Sequence, residues 1–271
     1  MNEIGFIQGR LVDQIDNKIQ AFPKKEWVLE LDIASKNELN FIELTVDYDD
    51  ILDNPIATMS GCQRLKKKLQ EHMIKPIACT ADFVMQNPPW KNSMSEMIEI
   101  TKKIINGMGL VGCKVLVIPF VDNSSLKYED EENAIKYLLS LRETLQRCKV
   151  RIAIESDYNP KKLIEFIKKL PEKFFGINYD IGNSASLGYD YKEELNTYFH
   201  RIIHVHVKDR KYRGDTVPLG EGDAKLIEVL KLMKDLEYKN NFSMQTARDN
   251  SGNHLKAMLK YMSFVNKVLS E

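Results

Sequence analysis

The stretch Arg201-Ile202-Ile203-His204-Val205-His206-Val207-Lys208-Asp209-Arg210 reads as a short apolar strand running out into a charged tip. Strand side chains alternate between faces, so His204 and His206 point one way while Val205 and Val207 point the other. Imidazoles beside a core, with Lys208, Asp209 and Arg210 directly after them, indicate that this strand end has work beyond packing. Comparable ends occur at Ile152-Ala153-Ile154-Glu155, Ile177-Asn178-Tyr179-Asp180 and Phe242-Ser243-Met244-Gln245.

Outward from this strand, apolar β-branched runs alternate with longer segments of helical period, the pattern of βα units around a parallel sheet. The spacing predicts strands over Ile4–Gln8, Phe41–Val46, Pro76–Thr80, Lys114–Pro119, Val150–Glu155, Phe174–Asp180, Arg201–Val207 and Asn241–Thr246. The intervening helices are predicted over Pro23–Asn37, Gly61–His72, Ser93–Met108, Glu129–Cys148, Pro160–Leu170, Tyr191–Phe199 and Asp223–Leu236, with a closing helix over Asn253–Val268. Eight strand–helix pairs are the number that closes a (β/α)8 TIM barrel, and about 250 residues is the usual length of one. An open doubly wound sheet would show a glycine-rich turn after its first strand. Gln8-Gly9-Arg10-Leu11 has a single glycine. No linker rich in Pro, Gly or Ser divides the chain, so residues 1–271 are expected to form a single α/β barrel domain. The longer loops follow strands one, two, three and seven, on the side where barrel enzymes build their sites.

Composition narrows the class. Of 271 residues, 43% are hydrophobic, enough for a sizeable core, and 39 basic residues balance 39 acidic ones. That zero net charge gives no basis for binding nucleic acid or an anionic membrane. The opening Met1-Asn2-Glu3-Ile4-Gly5-Phe6 lacks the basic and apolar regions of a signal peptide. No apolar run reaches the roughly 18 residues of a membrane span. Cys62, Cys79, Cys113 and Cys148 are scattered without a CxxC pair, as expected of reduced thiols in a cytoplasmic protein.

Glu155, Asp180, His206 and Gln245 fall at the ends of strands five to eight, one on each. Consecutive tips of a closed barrel lie on an arc around one axis, so these four side chains can reach a common point. Two carboxylates, one imidazole and one amide oxygen make a hard, mixed oxygen and nitrogen site. It suits one divalent metal ion, Mn²⁺ first, with Mg²⁺, Co²⁺ or Zn²⁺ as alternatives. His204 reads as a supporting histidine rather than a ligand.

These residues resemble the sugar phosphate isomerase/epimerase family, the xylose-isomerase-like TIM barrels that include ketose 3-epimerases, hexulose-phosphate isomerases and inosose dehydratases. The resemblance spans nearly the whole chain. It runs from Ile7-Gln8-Gly9-Arg10-Leu11, Gln20-Ala21-Phe22-Pro23 and Phe41-Ile42-Glu43-Leu44 through Ile154-Glu155-Ser156-Asp157 and Asp180-Ile181-Gly182-Asn183. Its most specific element is His206-Val207-Lys208-Asp209 followed by Pro218-Leu219-Gly220-Glu221-Gly222, and Gln245-Thr246-Ala247-Arg248 completes it. The resemblance implies metal ligands at Glu155, Asp180, His206 and the strand-eight position. It also implies a substrate whose adjacent hydroxyl and carbonyl chelate the ion, with Glu155 as both ligand and base. Two departures stand out. The ketose 3-epimerases carry a glutamate at strand eight that shares the proton transfers, whereas an amide such as Gln245 cannot act as a base near neutral pH. Many of them also have a histidine shortly after the strand-six aspartate, where this chain has Asn183 and Ser184. With five histidines in all, the trinuclear zinc cluster of the related endonuclease IV enzymes is not expected.

The resulting expectation is a divalent-metal-dependent isomerase or epimerase acting on a sugar or sugar phosphate through an enediolate. Lys208 is a candidate proton donor, or else a partner of Asp209. Glu43 and Asn183 are candidate substrate binders, and Arg210, Arg213 and Arg248 could hold a phosphate bidentately. Trp90, after Pro88-Pro89, is either a sugar-stacking wall or a loop anchor. A dehydratase of the inosose type, or a non-catalytic sugar-binding barrel, are the competing readings raised by Gln245. Beyond a small-molecule sugar, the only partner suggested is a second copy of the chain in a homodimer.

Overall fold

The computed structural model describes residues 2–16, 18–249 and 251–271. The chain opens with β1 (Ile4–Ile7), α1 (Trp27–Lys36), β2 (Phe41–Thr45), α2 (Met59–Glu71), β3 (Lys75–Thr80), the short α3 (Asp82–Gln86) and α4 (Met94–Val111). It continues through β4 (Val115–Phe120), α5 (Glu131–Ser140), α6 (Arg142–Cys148), β5 (Arg151–Ser156), α7 (Pro160–Lys168), β6 (Phe175–Asp180), the short α8 (Ile181–Leu187) and α9 (Tyr191–Tyr198). It ends with β7 (Ile202–Val207), a hairpin of β8 (Asp209–Arg210) and β9 (Thr216–Val217), α10 (Leu226–Asp235), β10 (Phe242–Met244) and α11 (His254–Ser270). Strands β1 to β7 and β10 pair in parallel and close on themselves through β1 and β10, forming an eight-stranded barrel. No helix among the described residues is long and apolar enough to cross a membrane.

The core is layered as the alternating pattern requires. Leu, Ile and Phe on the outer faces of the strands pack against the apolar stripes of the helices. Inside, Ala78, Val117, Ala153 and Ile203 fill the barrel floor. Ile203 reaches that floor through a β-bulge: Ile177 pairs with Ile202 but Asn178 with His204, leaving Ile203 as the extra residue of β7. Opposite it, a Cβ on Gly176 would stand 2.7 Å from the Ile203 side chain, so only glycine admits the bulge. Ile203, His204, His206 and Lys208 therefore all turn inward, one above another.

The predicted helix over Glu129–Cys148 is broken at Leu141. Ser140 Oγ donates back to the Tyr137 carbonyl at 2.6 Å, and Leu141 N reaches only the i−3 carbonyl of Leu138. A serine competing for helix carbonyls commonly bends a helix. Helix α3, helix α8 and the hairpin escaped the sequence reading because each is too short to show a period.

Asp209 decides the shape of the loop after β7. Its carboxylate, 2% exposed, accepts the backbone N–H groups of Gly220 (2.8 Å), Gly222 (3.0 Å) and Ala224 (3.2 Å). A Cβ at Gly222 would lie 1.9 Å from Asp209 Oδ1, so the loop wraps the carboxylate too closely for any side chain. Removing the acceptor leaves three donors unanswered; the full cost of about 1–3 kcal/mol applies at buried Ala224, and only part of it at half-buried Gly222 and exposed Gly220, where water can answer the N–H. Asp209→Ala is expected to lose about 2–4 kcal/mol of stability in urea titrations and to expose residues 211–222 to limited proteolysis. Loss under about 1 kcal/mol with an unchanged digest would show that the clamp is dispensable.

Candidate metal centre at the barrel mouth

The inward side chains of β2, β5, β6 and β7 stack in two tiers above the floor. The lower tier is sealed: Glu43, His204 and His206 are each 0% exposed. Glu43 accepts His204 Nε2–H at 2.7 Å and His206 Nε2–H at 3.0 Å, and also accepts the hydroxyl of Thr80. Burial works to raise the Glu43 carboxyl, but the two imidazoles outweigh it and hold the group well below the usual carboxylate range. With Nε2–H committed to Glu43, His206 turns Nδ1 upward, where Glu155 Oε2 lies at 3.2 Å and Asp180 Oδ2 at 3.9 Å. Burial acts to lower His206, yet Glu43 and Glu155 push it up to about 10. A proton or a metal cation on Nδ1 answers the same field.

In the upper tier, one ligand atom each from Glu155, Asp180 and His206 lie within 4.8 Å of one another. Glu43, His204 and His206 form a second trio of the same kind. That trio is closed by its own hydrogen bonds and reads as a carboxylate orienting two imidazoles, the arrangement that fixes the tautomer of a ligating histidine. The upper trio fits a divalent cation: two carboxylates, one oriented imidazole, and a side bordered by cavity. Glu155 also accepts Asn178 Nδ2 (2.8 Å) and Asn183 Nδ2 (2.6 Å). Burial pushes Glu155 up, but His206, Lys208 and Asn178 more than offset it. Asp180 is raised by burial and by Glu155 despite the opposing Lys208 charge. One Asp180 oxygen caps α8 through Asn183 N at 2.8 Å, while the other faces the centre and is shared with Lys208.

Gln245, just beyond β10, joins this group through Lys208. The ammonium contacts Asp180 Oδ2 (3.2 Å), Asn183 Oδ1 (3.1 Å) and Gln245 Oε1 (3.1 Å). Lys208 therefore pairs with Asp180 rather than with Asp209, which faces the opposite way into its loop. Gln245 Nε2 donates to Gln20 Oε1 at 3.1 Å.

The closed parallel barrel has known counterparts. The model of the xylose isomerase-like TIM barrel family matches residues 31–266. The chain belongs to that family. Uncharacterized protein MJ1311 of Methanocaldococcus jannaschii is 26% identical over 94% of this chain and 97% of its own length. L-ribulose-5-phosphate 3-epimerase UlaE of Escherichia coli is 24% identical over 88% of this chain and 90% of its own. Among solved structures, the IolI protein with a binding zinc atom superposes with a TM-score of 0.75 at 18% identity, covering 100% of this chain and 98% of IolI.

This xylose isomerase-like barrel opens into a cavity of about 700 Å³ bordered by Arg10, Gln20, Asp82, Glu155, Lys208 and Arg210 among others. Arg210 Nη1 donates to Asn183 Oδ1 at 2.8 Å, and its Nε and Nη2 hold Gly214 O at 3.1 and 2.8 Å. The remaining substrate-binding candidates lie elsewhere. Glu43 is sealed beneath the centre and does not border the cavity. Arg213 is exposed at the hairpin turn, its guanidinium 5.1 Å from the Tyr212 ring centre. Arg248 clamps the loop after β1, donating to Val12 O (2.9 Å), Ile19 O (3.3 Å) and Gly9 O. Neither arginine borders the cavity. Trp90 packs edge-on against Phe120 with ring centres 5.0 Å apart, a loop anchor. Among the other lining residues, Arg10 and Gln20 fall in the motifs that carry the resemblance but have no role in the sequence reading, and Asp82 is not singled out there. Each sits in a loop or just past a strand end, where no period marks it; for Asp82 the available signal was an acid two residues beyond Thr80.

Proposed function

We propose that this barrel is a divalent-metal-dependent sugar isomerase or epimerase that moves a proton next to a substrate carbonyl. The observation that carries the reading is the convergence of Glu155, Asp180 and His206 within 4.8 Å beside a polar cavity. These three would hold the ion, with the amide oxygen of Gln245 as a fourth donor. A divalent cation there supplies Lewis acidity to a carbonyl oxygen and its neighbouring hydroxyl. Glu155 serves as the base for the α-proton. Lys208, held by Asp180, Asn183 and Gln245, presents a fixed positive charge to substrate oxygens. Asn183 and Arg210, joined at 2.8 Å, form the wall against which sugar hydroxyls are oriented. Glu43 keeps His206 in the ligating tautomer. UlaE is named a 3-epimerase of a ketose phosphate, and IolI was solved with zinc; both support the reading.

The decisive experiment incubates the Mn²⁺-treated protein in D₂O with L-ribulose, D-fructose, D-tagatose and their phosphates. Deuterium at an α-carbon with an isomerised or epimerised product is expected. Formation of a dehydrated product would assign the chain to the lyases, and absence of exchange in every sugar would end the proposal. Gln245→Glu is expected to bind Mn²⁺ at least as tightly as the wild type in calorimetry; loss of binding would remove position 245 from the ligand set.

A further inference from the structure

We propose that Asp82 is the second proton-transfer residue of this site, filling the role that an amide at position 245 cannot. This inference rests on the epimerase reading above. Asp82 begins α3, directly past the tip of β3, is 5% exposed and borders the same cavity as Glu155 and Lys208. Gln20 connects it to the strand-eight position: Gln20 Nε2 donates to Asp82 Oδ2 at 2.8 Å, while Gln20 Oε1 accepts Gln245 Nε2 at 3.1 Å. A carboxylate thus stands one side chain away from position 245, beyond β3 and reached through Gln20 from the loop after β1. Asp82 Oδ1 accepts no hydrogen bond from the described residues, so one oxygen remains available to substrate.

The other carboxylates around the cavity serve less well. Asp157 is engaged by Ser125 Oγ at 2.5 Å, and Asp122 and Asp215 are exposed to solvent. Burial, joined by the charges of Asp47, Glu155 and Glu43, pushes Asp82 up to about 7 against the Gln20 bond; the facing cation is Arg10. Such a carboxyl exists in both protonation states near neutral pH, as a general acid–base requires.

The step balances. Glu155 carboxylate removes the α-proton, breaking one C–H bond. Asp82 carboxylic acid delivers its proton to the other face of the same carbon, forming a new C–H bond. Glu155 is left protonated and Asp82 ionised, and exchange with water restores both; the reverse reaction swaps their parts.

The test follows product and deuterium separately in the D₂O sugar panel for wild type, Asp82→Asn, Asp82→Glu and the Asp82→Asn/Gln245→Glu double variant. In Asp82→Asn, deuterium wash-in to the starting sugar is expected to stay within about threefold of wild type, because Glu155 still exchanges its proton. Epimer formation is expected to fall at least about 100-fold, in the range of a lost general acid–base. Asp82→Glu should recover part of it, and the double variant should recover epimer formation by restoring a carboxylate at strand eight. Epimer formation within threefold of wild type in Asp82→Asn would overturn the role of Asp82 while leaving the metal-centre reading intact. Equal loss of wash-in and epimer formation, unrelieved in the double variant, would show a merely structural residue. Absence of exchange in the wild type would overturn both readings together.

Discussion

Glu155→Gln is expected to abolish turnover and metal binding while leaving the fold almost untouched. The substitution keeps the size of the side chain and one carbonyl oxygen, but removes a carboxylate that both borders the cavity and reaches His206 Nδ1. Loss of a positioned base alone is worth about 10²–10⁴-fold. Because the same group is a proposed ligand, Mn²⁺ affinity should fall by more than the roughly 10–100-fold typical of outer-sphere changes. Stability should change by only about 1 kcal/mol, since the amide can still accept one of the two bonds from Asn178 and Asn183. Exchange rates, calorimetry and urea titration read the three quantities independently. A variant that kept Mn²⁺ affinity within threefold would place the ion elsewhere.

His206→Ala is expected to combine loss of the metal with a large loss of stability. It strips the shared imidazole from Glu43, Glu155 and Asp180, all buried acids. Breaking a buried charge pair by deleting one partner costs about 3–5 kcal/mol, because the survivor stays buried without compensation. His204→Ala should cost less, since His206 would still answer Glu43 and no member of the upper trio would be lost. A drop below about 1 kcal/mol for His206→Ala, measured by urea denaturation, would mean that water or another cation already balances these acids.

The barrel and its upper trio were legible in the sequence for one reason: both are periodic. Alternation within strands and one acid or histidine per βα repeat place Glu155, Asp180 and His206 at neighbouring tips without knowledge of any loop. Depth was less visible. Glu43 also points inward, but it lies lower than the upper trio, so it touches its imidazole and does not border the cavity. Alternation taken strictly would have turned Lys208 toward Asp180 and Asp209 away, correcting the suggested Lys208–Asp209 pair. The arginines could not be sorted from sequence at all. Whether Arg210 or Arg248 meets the cavity depends on which backbone carbonyls the loops present, and loops carry no repeat from which to infer that. Asp82 escaped notice for the same reason, and Gln20 and Arg10 stood in the quoted motifs without a role.

The loop held by Asp209 has a consequence for redesign. Between Arg210 and Asp223 the chain leaves β7 and returns to one carboxylate, which closes the excursion by binding Gly220, Gly222 and Ala224 at its far end. The base of the segment is closed by that carboxylate together with the β8–β9 pairing and the bond from Asp223 N to Arg210 O at 2.9 Å. That makes residues 210–219 an exchangeable cassette. Segments of other lengths and chemistries can be spliced there, carrying a different partner for Asn183 in place of Arg210, while the Gly-Glu-Gly clip preserves the position of Lys208 and His206 beneath.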